Sequence, residues 1–310
     1  MPVAAIIGTG LVGQGWAIVF ARMGWTVKLF DPAPARLAEA RTLILQQLDA
    51  LENHGLVEDA ARIAGHIEVA ESLAAALAGA RHVQESSPEN VDIKKALFSE
   101  LDALAGPDAI LASSTSSIPA SQFTEHLAGR ARCLVAHPVN PPYLIPVVEI
   151  SGAPWTSAEA VERARQIMLS VGQKPVVVNR EIEGFVLNRL QGALLQEAFR
   201  LVAAGICSAE DVDTTIKDGL GLRWSFMGPF ETIDLNAPGG IADYCARYGG
   251  MYKSIGASQA DCAEWDEALI ARLSTQRRAL LAETDLPERR VWRDEKLMQL
   301  MRHKQEGRDQ

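Results

Sequence analysis

Two residues of this chain, His137 and Glu149, have the types and spacing of an acid–base pair. His137 ends an apolar run, RCLVAH, and Glu149 lies in the next one, PVVEI, so neighbouring strands can bring the carboxylate to the imidazole. A carboxylate placed there fixes the ring tautomer and raises its basicity, which removal of a hydroxyl proton requires. A lone histidine at a strand end is also a common structural residue, and the pair alone does not separate the two readings. A hydroxyl cluster, Ser113-Ser114-Thr115-Ser116-Ser117, follows another apolar run. It can hydrogen-bond a substrate oxygen at a sheet edge, or serve as an N-cap series for a helix beginning near Pro119.

A second constellation lies near the start of the chain. Gly8, Gly10 and Gly13, in the order Gly8-Thr9-Gly10-Leu11-Val12-Gly13, have the spacing GxGxxG between a strand-like run and a helix-like one. The first glycine permits a tight turn, the second lets backbone approach a pyrophosphate, and the third allows close helix–strand packing. The helix start adds free amides and the positive end of a dipole. Asp31 closes VKLFD about twenty residues further on, where a carboxylate can accept from a ribose 2′-hydroxyl. The two together point to a dinucleotide. NAD is expected over NADP, because Asp31 would repel a 2′-phosphate and the next basic residue, Arg36, lies beyond Pro32 and Pro34.

The elements that must position these residues change character along the chain. Apolar, β-rich runs at 4–8, 26–30, 67–70, 82–85, 109–113, 132–136, 146–150 and 175–178 predict strands. Windows with helical periodicity, such as 11–23, 34–52, 91–105 and 157–171, lie between several of them. Strands alternating with helices predict an α/β, Rossmann-type domain with a mostly parallel sheet. From Glu183 onward the β-branched runs vanish, and 185–204, 209–218, 229–248, 264–282 and 291–301 read as helices, the last followed by a charged end. The expected division is a cofactor domain at 1–182 and an all-helical C-terminal domain at 183–310.

Composition narrows the function classes. A chain of 310 residues with 48% hydrophobic and 22% charged residues can bury a sizeable core. The formal net charge of −9, without a Lys/Arg block, argues against nucleic acid as the main partner. No apolar stretch approaches the roughly 20 residues that a spanning helix needs, so a membrane is not expected as a partner either. The start, MPVAAIIGTG, lacks the basic flank of a secretory signal. Cys133, Cys207, Cys245 and Cys262 lie far apart with no metal-like clustering, which suits reduced thiols in the cytoplasm.

Taken together, GTGLVGQGW, SSTSS, HPVNPP, VVEI and GFVLNR, in this order and spacing, resemble the 3-hydroxyacyl-CoA dehydrogenase superfamily over nearly the whole chain. HPVNPPY, GFVLNRLQ and GLGLRWSFMGPFET are most similar to its lambda-crystallin / L-gulonate 3-dehydrogenase branch. The resemblance implies that Leu11, Val12, Asp31, Glu89 and Lys94 contact NAD, and that Ser116 binds substrate. It implies that His137 is the catalytic histidine, Glu149 its acidic partner, and Asn188 a substrate contact near the histidine. An Asn early in an apolar helix has poor propensity, so a site role or a packing hydrogen bond must justify it. The resemblance also implies a homodimer formed through the helical domain, and no metal.

One stretch departs from the acyl-CoA type, which typically reads GxGxPMGPF. Here Gly219 to Phe230 is longer and carries Arg223, whose guanidinium suits the carboxylate of a small substrate; a solvated surface arginine is the plainer alternative. The expected activity is therefore oxidation of the 3-hydroxyl of a small hydroxy acid, L-gulonate first. A short-chain 3-hydroxyacyl-CoA such as 3-hydroxybutyryl-CoA, or L-carnitine, stands as the alternative substrate. A non-catalytic, crystallin-like NAD-binding protein is the alternative of another class.

Overall fold

The computed structural model describes residues 1–261 and 264–306, so Cys262 and the last four residues of the charged end lie outside the described residues. The chain forms two compact units, Met1–Arg189 with Val291–Gln310, and Leu190–Arg290.

The first unit is built on a sheet of eight strands among the described residues: β1 Val3–Ile7, β2 Thr26–Phe30, β3 Ile67–Val69, β4 Ala80–Glu85, β5 Ile110–Ser113, β6 Cys133–Pro138, β7 Val147–Gly152 and β8 Lys174–Val178. Their order is β3-β2-β1-β4-β5-β6-β7-β8. All pairings are parallel except β6 with β7, which is antiparallel. The fold class expected from the alternating pattern is borne out. Because the order turns back between β1 and β4, a crevice opens at the carboxyl ends of those two strands, the usual ligand position in such sheets.

Two apolar clusters hold the unit together. One contains Trp16, Ile18 and Phe20 of the helix Leu11–Arg22 with Ala4, Ile6, Val27 and Leu29 from β1 and β2. The other contains Ile7, Val83, Phe98, Leu111, Val135 and Phe185. Residues alternate between the clusters along β1 and β5, as period-2 side chains must in a sheet covered on both faces. Truncating a fully buried aromatic such as Phe20 to Ala in such a core typically costs about 3–5 kcal/mol.

The helix Leu286–Glu306 is longer than the 291–301 segment expected, and its Met298 and Leu297 join the first of these clusters. From Val291 on, this helix therefore belongs to the same unit as the sheet, although residues 190–290 before it do not.

The second unit is helical. The expectation of one helix over 229–248 is corrected: Pro229–Leu235 and Gly240–Ser258 are separate. Pro238 has no amide to donate and Gly240 takes a φ of 70°, so the ladder that ends at Leu235 does not resume until Gly240. The helix expected over 209–218 continues instead through a π-helical turn, Thr215–Leu220, into Gly221–Trp224. Gly221 makes that turn possible, since a Cβ there would lie 2.7 Å from the Ile216 carbonyl oxygen. Leu222, Phe226, Phe230, Leu235 and Tyr252 are exposed in this unit. Among the described residues, no helix is long and apolar enough to cross a membrane.

Candidate active site

The glycine loop joins β1 to the helix Leu11–Arg22 and has a separate reason for each glycine. Gly8 takes a φ of 93°, and a Cβ on it would meet the Ser86 carbonyl oxygen at 2.6 Å. At Gly13 a Cβ would sit 2.0 Å from the Gly8 carbonyl oxygen, so helix and loop are in backbone contact. Gly10 has nothing within 4 Å of that position and caps the helix with no side-chain hydrogen bond. The first helical amides, beginning with exposed Leu11 and half-buried Val12, are therefore left for a ligand, with open space before them.

Asp31 follows β2 and is buried. Its Oδ2 accepts from the amide (3.0 Å) and hydroxyl (3.2 Å) of Thr9, and its Oδ1 accepts from the Ala33 amide (3.0 Å). These bonds lock the carboxylate to the loop, and a carboxylate has about four acceptor positions, so one stays available for a ribose hydroxyl. A dinucleotide fits this cradle. The expected consequence is selectivity: steady-state rates with NADP should fall far below those with NAD, and comparable catalytic efficiency would contradict the reading of Asp31.

His137 and Glu149 are direct partners across the antiparallel β6–β7 ladder. His137 Nδ1 lies 2.8 Å from Glu149 Oε2, and both residues are buried. The other carboxylate oxygen accepts from the amides of Val186 (2.8 Å) and Leu187 (2.9 Å), at the start of the helix Leu187–Ala203. Burial pushes the Glu149 carboxyl up, but the bonds from His137 and from the Leu187 and Val186 amides outweigh it and hold the group below its ordinary range. Its ionised form thus stabilises the fold above the usual carboxylate range, a contribution lost as the pH falls through the lowered value.

Two consecutive left-handed residues aim those amides: Gly184 with φ 73° and Phe185 with φ 49°. A left-handed phenylalanine is strained, typically by about 1–3 kcal/mol, and its full burial beside His137, with ring centroids 5.7 Å apart, holds it there. With Nδ1 tied to Glu149, Nε2 is the nitrogen free to take a proton. It has no hydrogen-bond partner among the described residues.

Ser116 and Asn188 also meet, through the backbone: Asn188 Nδ2 donates to the Ser116 carbonyl oxygen at 2.6 Å, and Ser116 itself is exposed. Glu89 fixes that turn from below. Its Oε1 accepts from the Thr115 hydroxyl (2.6 Å) and the Ser116 (2.9 Å) and Ser117 (3.1 Å) amides. Burial raises the Glu89 carboxyl, but the Thr115 hydroxyl, the Lys94 charge and the two amides bring it below its ordinary value.

Lys94 is buried, with Nζ 3.0 Å from both oxygens of Glu85 and 3.8 Å from Glu89. Glu85 was missed in the sequence reading. It is fully buried at the end of β4 and also takes the hydroxyls of Ser87 and Ser113. Its signal was a charged residue closing a predicted strand, HVQE, nine positions before a lysine of the next helix.

Arg223 lies in the second unit, in the helix Gly221–Trp224. It is exposed, as are Trp224 and Phe226, and has no ion-pair partner among the described residues.

A mostly parallel sheet with helices on both faces, a bare glycine loop with Asp31 beside it, and a His–Glu pair at the same sheet edge define an NAD-dependent dehydrogenase acting on a CH–OH group. Comparison with known proteins agrees. Residues 3–182 match the 3-hydroxyacyl-CoA dehydrogenase NAD binding domain, and residues 184–276 match the 3-hydroxyacyl-CoA dehydrogenase C-terminal domain. The chain is 39% identical to lambda-crystallin of Oryctolagus cuniculus, covering 98% of this chain and 97% of that protein. It is also 39% identical to L-carnitine dehydrogenase of Streptomyces griseus, over 86% of this chain and 78% of that one. Among solved structures, a 5-formyl-3-hydroxy-2-methylpyridine 4-carboxylic acid 5-dehydrogenase, an NAD+-dependent dismutase, superposes with a TM-score of 0.73 at 33% identity, covering 86% of this chain and 83% of that chain. The chain belongs to the 3-hydroxyacyl-CoA dehydrogenase superfamily, in its lambda-crystallin branch, and its cofactor is NAD.

Proposed function

We propose that this chain oxidises the 3-hydroxyl of a small 3-hydroxy acid, with L-gulonate as the first candidate substrate. The observation that carries the reading is the 2.8 Å bond from His137 Nδ1 to Glu149, which leaves Nε2 to act as a general base. Nε2 removes the hydroxyl proton, and the Glu149 carboxylate stabilises the imidazolium that results. Ser116 and Asn188 hold the substrate oxygen in line with Nε2. Bound NAD supplies the hydride acceptor. Gly8, Gly10, Leu11, Val12 and Gly13 hold its pyrophosphate, Asp31 its adenosine ribose, and Glu89, steadied by Lys94, its nicotinamide side. Residues 1–182 serve as the cofactor domain and the helical remainder serves substrate binding and self-association. The exposed apolar side chains of Leu190–Arg290 support a homodimer, which light scattering at micromolar concentration would detect. Three free cysteines among the described residues, Cys133, Cys207 and Cys245, suit a cytoplasmic setting.

Arg223 is the proposed carboxylate-binding residue, an exposed cation with no ion-pair partner among the described residues. Losing one member of a desolvated charge pair typically costs about 2–5 kcal/mol. Arg223→Met should therefore lower kcat/KM for L-gulonate by roughly thirty-fold or more, with NAD binding intact. A neutral result would return Arg223 to an ordinary surface role.

Similarity to an L-carnitine dehydrogenase favours L-carnitine as a second reading; it too carries a carboxylate and a 3-hydroxyl. The deciding experiment is an assay of L-gulonate, L-carnitine, L-3-hydroxybutyrate and 3-hydroxybutyryl-CoA with NAD. Turnover of the CoA ester alone would overturn the small-acid reading.

A further inference from the structure

A chain of buried and half-buried hydrogen bonds runs under the sheet edge from His82 to Ser86. The atoms that can only donate or only accept fix its polarity. Gln84 Nε2 lies 3.1 Å from the Ala136 carbonyl oxygen, which only accepts, so this atom is the amide nitrogen. Gln84 Oε1 is then an acceptor, and His82 Nε2, 2.8 Å away, must donate to it. His82 is fully buried; burial pushes its imidazole down to about 4, against a smaller opposing effect of the Gln84 bond, so the ring stays neutral with its proton on Nε2.

The second hydrogen of Gln84 Nε2 goes to Ser114 Oγ at 2.7 Å, and Trp16 Nε1, which can only donate, reaches the same oxygen at 3.1 Å. Both acceptor positions of the Ser114 hydroxyl are thereby filled. Its own proton must point to Ser86 Oγ, 3.0 Å away. Ser86 therefore accepts at one position and keeps a proton that no group among the described residues takes.

That unspent proton sits at the crevice between β1 and β4. Ser86 directly follows β4, its amide donates to the Ile7 carbonyl at the end of β1 (2.7 Å), and its carbonyl lies against Gly8. Along the sheet edge come Asp31 after β2, the glycine loop after β1, Ser86 after β4, Ser116 after β5, and His137 in β6. A dinucleotide with one ribose at Asp31 and its pyrophosphate at the loop must pass the end of β4 to bring its reactive ring toward His137.

We propose that Ser86 is a further cofactor-binding residue, whose hydroxyl, set as a donor by His82, Gln84 and Ser114, donates to an acceptor oxygen in the nicotinamide-ribosyl half of NAD. Two fixed acceptor positions on Ser114 leave Ser86 little freedom to rotate, so the bond forms without much ordering cost.

The test is direct binding, without substrate, of NAD and of ADP to the full chain and to Ser86→Ala by titration calorimetry. ADP keeps the adenosine and both phosphates and lacks the nicotinamide-ribosyl half. Loss of one such bond should weaken NAD about 3- to 10-fold, with ADP affinity unchanged. Ser86→Cys, a weaker donor of similar size, should fall between and serves if the alanine variant does not fold. NAD affinity unchanged in both variants would overturn the proposal. An equal weakening of ADP would also overturn it, because the effect would then lie in the glycine loop.

Discussion

Replacing His137 by Gln should lower kcat by about two to four orders of magnitude, the usual contribution of a positioned general base. NAD affinity should stay close to that of the unaltered protein, since the glycine loop and Asp31 belong to other strands. Gln keeps a polar group of similar length in β6 but cannot take a proton at neutral pH. Glu149→Gln should cost less, because the ring remains and only its ionic partner is lost. Stopped-flow rates and NAD titrations on both variants provide the check. Near-normal turnover in His137→Gln would mean that the base lies elsewhere.

A second large effect is expected at Gly13, where a Cβ would fall 2.0 Å from the Gly8 carbonyl oxygen and 3.1 Å from its carbon. Both are backbone atoms of a loop that is itself left-handed at Gly8, so no side chain can swing aside. Gly13→Ala must push the helix off the loop. Overpacking of this kind costs about 1–3 kcal/mol, visible as a fall of several degrees in Tm. The helix amides move with it, and NAD affinity should drop about a hundredfold or more, some 2.8 kcal/mol at 1.4 per factor of ten. Gly10→Ala is the informative contrast. Nothing lies within 4 Å of a Cβ at Gly10, so Tm should hold while NAD binding is lost to the methyl group. Equal Tm losses in the two variants would contradict the distinct purposes assigned to these glycines.

What could be read from the sequence follows from how local each constraint is. The glycine spacing, Asp31 at a strand end and the strand–helix alternation are local patterns, and they yielded the α/β fold and the cofactor. His137 and Glu149 were readable as neighbours because a short connection joins their strands. That they face each other across an antiparallel pair depends on β7 reversing direction, which no residue announces. Glu85 with Lys94, and Ser86 with Ser114, meet across separate strands or a strand and a helix, so tertiary packing alone pairs them. The division of 229–248 was legible in principle, since Pro238-Gly239-Gly240 is strong punctuation; the apolar periodicity on either side masked it. Arg223 shows the opposite limit: charge suggested a carboxylate partner, and among the described residues none forms an ion pair with it.

The placement of Met298 in the core of the sheet unit has a consequence for how the protein is made. A ribosome delivers Met1–Arg189 first, and Met298 follows only after the whole of Leu190–Arg290. Through that interval the nascent sheet domain holds its strands but lacks a piece of its own interior, leaving apolar surface open to other chains. The core of the sheet unit is thus completed only after a later part of the chain has been made. Docking of the helix that carries Met298, rather than assembly of the sheet, is the event that closes it.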